Sequence, residues 1–168
     1  MKSYLFKEKT MNYIVFNTPL GFIKVIEEDG FITKIEYEGN RADEVLSDNK
    51  ILCEARNQIE DYFMGARREF DLPVKINATD YRRKVLETLR TVPYGTTISY
   101  KELAALTGNP AAYRAVGSAM KANPLPIIMP CHRVINENGE LGNYSFGGVS
   151  NKDWLITFEA QNRQPLFI

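Results

Sequence analysis

The 168-residue chain predicts an α+β fold, with an N-terminal antiparallel β-sheet and a helix ahead of a mostly helical C-terminal half. Three observations predict it. Residues 12–37 hold three β-branched and aromatic runs separated by turn residues. From residue 79 onward, capping residues and glycines punctuate short helical patterns. The only histidine, His132, stands beside Cys131, one of only two cysteines, in that helical half.

Asn12–Asn17, Gly21–Ile26 and Phe31–Tyr37 are the three runs, and Gly21 and Glu28-Asp29-Gly30 mark the turns of an antiparallel meander. Ile51–Met64 places apolar residues at 51, 52, 55, 59, 62 and 63, near helical spacing, and Gly65 ends it. Cys53 falls inside this helix and reads as structural. Leu72–Ile76 is a short extended piece. The boundary at Asn77–Asp80 divides the chain into domains of 1–78 and 79–168.

Thr79 or Asp80 caps a helix through Leu89, with Val85, Leu86 and Leu89 on one face. Pro93-Tyr94-Gly95 is a turn. Ser99 is the N-cap of Tyr100–Leu106, with Glu102 at the capping-box position. Gly108 stops that helix, and Asn109 caps the next, with Pro110 at its first position, to about Ala122. Two short helices joined by a Gly-containing turn form a helix-turn-helix pattern. Small residues from Ala111 to Ala119 let the second helix approach another backbone, or a DNA groove, closely. Pro126–Pro130 is a stiff apolar segment delivering Cys131 to the edge of the core. Asn136–Gly139 is a turn and Leu141–Ser150 a Gly/Ser/aromatic loop. Asn151 caps a last helix, Lys152–Ala160, whose Trp154, Leu155, Ile156 and Phe158 belong to the core.

Net charge is zero but unevenly spread: residues 1–80 hold 11 basic against 15 acidic side chains, and residues 81–168 hold 10 against 6. Between Tyr81 and Arg133 there are eight basic side chains and two acidic ones, a balance that suits a polyanion. No apolar run approaches the roughly 20 residues of a membrane span. Met1–Thr10 has no apolar h-region. Two widely separated cysteines then predict reduced thiols and a cytoplasmic protein without membrane contact. There is no phosphate loop, dinucleotide fingerprint or zinc spacing, so no cofactor and no metal are expected.

The Cys131-His132 pair offers nucleophilic chemistry, because a thiolate attacks and imidazole moves protons near neutral pH. A buried Cys beside a satisfied structural His is the alternative reading of such a dipeptide.

Val92–Tyr100, Leu103–Pro110, Arg114-Ala-Val-Gly117 and Asn123–Val134 with its Pro-Cys-His-Arg-Val, continued by Leu141–Tyr144, Lys152 and Trp154–Glu159, resemble the 6-O-methylguanine-DNA methyltransferase family. The resemblance is strong over residues 79–160. Thr18-Pro-Leu-Gly21 and Asp61–Gly65 match the family's first domain more loosely. It implies a ribonuclease H-like N-terminal domain and a winged-helix C-terminal domain that acts as a monomer on double-stranded DNA containing alkylated guanine, with 4-O-methylthymine as a second candidate base. Cys131 would take the alkyl group irreversibly, once per molecule. If Cys131 and His132 share a helical turn, their side chains diverge by about 100°, so a bridging water is implied between them. Glu159 would hold the His132 tautomer. Tyr100 would donate toward the leaving base, and Asn123 would bond backbone near the active turn. Val134, Tyr144 and Ser145 would line the base pocket. Arg114 would fill the space left by a flipped base, with Lys101 and Asn109 also on the DNA side.

Two features depart from the family pattern. Tyr81-Arg82 stands where relatives commonly carry Phe-Gln, and the Tyr144–Lys152 loop is one residue longer, with Phe146-Gly147-Gly148 at its centre. Three other readings of the chain are a cysteine hydrolase built on Cys131, His132 and Glu159, a non-enzymatic alkyltransferase-like lesion binder, and a helix-turn-helix regulator.

Overall fold

A computed structural model describes residues 9–163. Three strands, β1 (Met11–Thr18), β2 (Gly21–Glu28) and β3 (Phe31–Gly39), pair antiparallel in the order β1-β2-β3. Period-2 side-chain alternation turns Ile14, Phe16, Ile23, Val25 and Ile35 into the core. Both outer edges are occupied by irregular chain: Val15 exchanges two backbone hydrogen bonds with Val45, and Ile32 does so with Pro73 and Lys75. The expected extended piece at 72–76 is therefore an isolated bridge at Val74.

Helix α1 (Lys50–Phe63) starts slightly before the apolar pattern because the Asn49 side chain accepts from the Leu52 amide at 3.0 Å. Leu52, Ala55, Ile59 and Tyr62 form its buried stripe. Cys53 is off that stripe. It is exposed, with its thiol donating to the Ser47 carbonyl, so it is a surface thiol and not part of the apolar core.

The C-terminal half contains α2 (Asp80–Leu89), α3 (Tyr100–Thr107), α4 (Tyr113–Lys121) and α5 (Val149–Asn162). Two short strands, β4 (Ile98–Ser99) and β5 (Val134–Ile135), pair in parallel and join the start of α3 to the end of the Cys-His segment. Thr79 caps α2, and Ser99 with Glu102 forms the complete capping box of α3. Gly108 closes α3 in the left-handed region at φ 119°.

Two expected starts differ. Asn109 caps a single 3-10 turn, Pro110–Ala112, and α4 begins after it. Helix α5 begins at Val149, and Asn151 is not its cap: the Asn151 amide donates to the Phe146 carbonyl and ties down the glycine loop.

The halves meet along an aromatic seam. Tyr62 of α1 lies against Phe63, Phe70, Tyr94 and Phe158, with Trp154 stacked on Phe158 at 4.8 Å. Tyr37 of β3 packs on Phe146, and the Ile35 amide donates to the Pro124 carbonyl. Burying several rings of this size makes the seam a principal source of cohesion between the halves.

Candidate active site

The segment leading to Cys131 is buried from Leu125 to Val134. Ile127 adopts φ 75°, a left-handed conformation disfavoured for a β-branched residue, and is held there by near-complete burial. Asn123 fixes both ends of this turn: its side-chain oxygen accepts from the Leu125 amide at 3.0 Å, and its amide donates to the Met129 carbonyl at 2.8 Å. The Cys131 amide donates to that same carbonyl. Cys131, His132 and Arg133 then form one 3-10 turn.

That turn sends the two neighbours in different directions. Cys131 is 7% exposed and faces a cavity of about 800 Å³, lined among others by Tyr100, Met120, Asn136, Tyr144, Ser145 and Lys152. His132 is fully buried and turns inward to Glu159 of α5, with Nε2 and Oε2 2.7 Å apart. Its Nδ1 is buried and has no hydrogen-bond partner among the described residues.

Glu159 is the most heavily bonded side chain among the described residues. Oε1 accepts from Arg133 Nε at 2.8 Å and from the Gly95 amide at 3.2 Å. Oε2 accepts from Arg133 at 3.1 Å and from the Tyr62 hydroxyl at 2.6 Å, beside its contact with His132. Burial alone would raise this carboxyl, but hydrogen bonding and charge from His132 and Arg133 outweigh it and hold it well below the ordinary carboxylate range. With Glu159 ionised, Nε2 carries the proton and Nδ1 keeps its lone pair. Burial also lowers the imidazole against the pull of Glu159, so His132 rests neutral.

The Cys131 thiol is raised by burial, and the Asn123 amide and the Lys152 ammonium act in the opposite direction. Lys152 is itself buried, with its ammonium donating to the carbonyls of Val134 and Leu141. Burial, and secondarily the sulfur, raises the Tyr100 phenol, and burial raises Tyr144 well above its ordinary value, so both stay protonated. The site therefore sets a shielded thiol and two phenols around a cavity roomy enough for a flat heterocycle, with a neutral imidazole behind them.

Comparison with known proteins fixes the family. Residues 80–161 match the model of the 6-O-methylguanine DNA methyltransferase DNA binding domain, and residues 11–76 match that of its ribonuclease-like domain. The chain belongs to the 6-O-methylguanine DNA methyltransferase family. It is 36% identical to the constitutive methylated-DNA–protein-cysteine methyltransferase of Bacillus subtilis, over 88% of this chain and 94% of that one. It is 38% identical to the methylated-DNA–protein-cysteine methyltransferase of Cricetulus griseus, over 92% and 85%. A crystal structure of Mycobacterium tuberculosis OGT in complex with DNA superposes with a TM-score of 0.79 at 33% identity, covering 89% of this chain and 93% of that chain.

In this family member, the residues expected on the DNA side lie apart from the buried network. Arg114 is exposed on α4, its guanidinium over the Tyr113 ring. Lys101 pairs with Glu137 at 3.5 Å, and the Asn109 side chain is occupied in capping. Ser145 is exposed at the cavity rim. Val134 is not part of the lining. It is fully buried behind it, with its carbonyl bonded to Lys152. Of the two departures, Tyr81 stays on the surface while Arg82 donates to Ser118 of α4, bracing the helical hairpin. Phe146, in the longer loop, is buried between Tyr37 and Tyr144.

Sequence reasoning missed Tyr62, Arg133 and Lys152 as members of this network. Arg133 was inside the recognised pentapeptide and Tyr62 inside Asp61–Gly65, but neither has a periodicity that reports a partner so distant along the chain.

Proposed function

We propose that the protein repairs DNA by direct reversal, taking the alkyl group of 6-O-methylguanine onto Cys131 once and irreversibly. The observation that carries this is the division of the 131–133 turn, with the thiol facing a cavity roomy enough for a base and the neighbouring imidazole kept neutral by burial and oriented by an ionised carboxylate. Nδ1 of His132 accepts the thiol proton through a bridging water. The thiolate attacks the alkyl carbon, an S–C bond forms and the C–O6 bond breaks, leaving its electron pair on the base. Tyr100 donates its hydroxyl toward the departing guanine and offsets that charge. Glu159, bonded to Nε2, stabilises the imidazolium, and Asn123 holds the turn. The product is a thioether that water does not readily cleave, so no second step regenerates the thiol.

A thiol facing a cavity can reach only a base removed from the stack, so base flipping precedes transfer. Arg114 enters the vacated space, with Lys101 and Asn109 beside it on the DNA, and Tyr144 and Ser145 bound the base. Residues 1–78 and 79–168 act as two domains of a monomer, joined through the irregular stretch at 77–79. Among the described residues no helix is long and apolar enough to cross a membrane. Both thiols are free, which suits the reducing cytosol.

Intact mass after mixing with an oligonucleotide bearing 6-O-methylguanine tests the reading. The protein should gain one methyl group, and Cys131→Ser none. No gain in the wild type, or a gain that persists in Cys131→Ser, would overturn it. A cysteine hydrolase would instead turn over on esters or amides and stay unmodified.

A further inference from the structure

We infer that Tyr62, from the N-terminal half, is a positioning residue that holds Glu159 and tempers the basicity of His132, so that the proton-handling unit is completed across the seam between the two halves. The inference rests on the reading of Cys131 and His132 given above.

The Tyr62 hydroxyl and His132 Nε2 share one oxygen, Oε2 of Glu159, at 2.6 and 2.7 Å. An O–H···O⁻ contact of that length is a charge-assisted bond, stronger than one between neutral groups. Tyr62 is fully buried, and its ring is packed by Phe63, Phe70, Tyr94 and Phe158, so the hydroxyl has no other direction to point. Burial first, then the neighbouring carboxylate, pushes the phenol well above its ordinary range, which makes it a permanent donor.

A donor shared on Oε2 does two things. It fixes the plane of the carboxylate, and with it the tautomer of His132. It also draws charge from the oxygen that stabilises imidazolium, which favours the neutral resting imidazole that can accept a thiol proton. The charged and titratable groups around this point are few. Glu159, Arg133 and Lys152 act on His132, His132 and Arg133 act on Glu159, and Glu159 and Arg133 act on Tyr62, with Tyr94 and Tyr144 also within reach of the Glu159 charge. Arg133 alone could neutralise Glu159 through its contacts of 2.8 and 3.1 Å. Tyr62 is the only one of these groups that comes from the N-terminal half, so it ties the fit of the two halves to the protonation of His132.

His132 is the only histidine in the chain, so its imidazole nitrogens can be titrated by NMR in the full-length protein without ambiguity. Tyr62→Phe removes one hydroxyl and leaves the ring in place. The His132 midpoint should then rise by about one pH unit. The acid limb of the methyl-transfer rate should move up with it: below pH 6 the rate falls by up to about tenfold, while above pH 8 it converges on the wild-type rate. Replacing Tyr62 with 3-fluorotyrosine, a stronger donor of nearly the same shape, should move both in the opposite direction, and this arm decides if Tyr62→Phe does not fold. An unchanged midpoint and rate profile in the folded variants would overturn the inference. If the wild type itself transfers no methyl group to Cys131, the functional reading fails, and the His132 titration still decides whether Tyr62 acts on the imidazole.

Discussion

The 131–133 turn and the 100–121 helical hairpin both line the cavity, one through Cys131 and the other through Tyr100, Gly117, Met120 and Lys121, and are built on opposite principles. Around Glu159 every polar contact is made inside the protein: five donors from three separate stretches of chain converge on one carboxylate. On the hairpin, Arg114 and Lys121 are exposed and Lys101 has only a surface partner. On the proposed reading, proton handling is prearranged before substrate arrives, as electrostatic catalysis requires. Recognition is left open, because phosphate and base contacts can form only with DNA present.

The largest effect that would break this contrast belongs to Cys131. Cys131→Ser should abolish methyl transfer while leaving affinity for lesion-bearing duplex intact, measured by gel shift. Cys53→Ser, on the exposed face of α1, should change neither. Next comes Glu159→Gln, which should slow transfer by about 10²- to 10⁴-fold. It should also destabilise the protein by about 3 kcal/mol in denaturant unfolding, because the Arg133 charge is left buried without its counter-ion.

Arg114→Ala should reverse the pattern: transfer from duplex DNA falls about tenfold or more, while reaction with free alkylated guanine and stability hold. Equal losses on both substrates would remove the distinction between the two regions. Lys101→Ala is smaller still and should reduce the salt dependence of DNA affinity by about one counter-ion, as for a single phosphate contact.

The resting state also predicts a pH dependence of stability. His132 has a folded pKa below its unfolded value of about 6.5. The unfolded chain therefore takes up a proton first on acidification, and stability falls as pH drops below about 6.5. The slope is at most about 1.4 kcal/mol per pH unit for one proton. Glu159, also depressed, adds a further loss below the ordinary carboxylate range as it is protonated. Because there is no second histidine, His132→Gln should flatten the upper part of that profile in thermal melts taken from pH 7 to pH 5.

Local chemistry was the part of the molecule legible in the sequence. Period-2 runs marked the three strands, and Ser99 with Glu102 marked the start of α3, because a cap and its partner lie within four residues. The resemblance supplied Glu159 as the partner of His132, and the structure brings the two together. What was not legible depends on distance or on competition between neighbours. Tyr62 and Glu159 are 97 positions apart, and nothing in either local pattern connects them. Asn151 looks like a cap from sequence, yet its amide is used by the Phe146 carbonyl, and α5 starts from the Gly147-Gly148 turn instead. Val134 was expected in the pocket, but parallel pairing of β5 with β4 draws it into the core. Cys53 was read from the apolar character of its helix, whereas the 100° step between residues places it on the outer face.

In the proposed function Cys131 is the alkyl group's final acceptor. The most direct measurement is a titration of the protein with a molar excess of 6-O-methylguanine duplex, counting lesions repaired and locating the modified residue by peptide mass. One lesion repaired per protein molecule, followed by arrest with the methyl group on Cys131, is the predicted result. Repair beyond one equivalent, or a methyl group on any other residue, would contradict it.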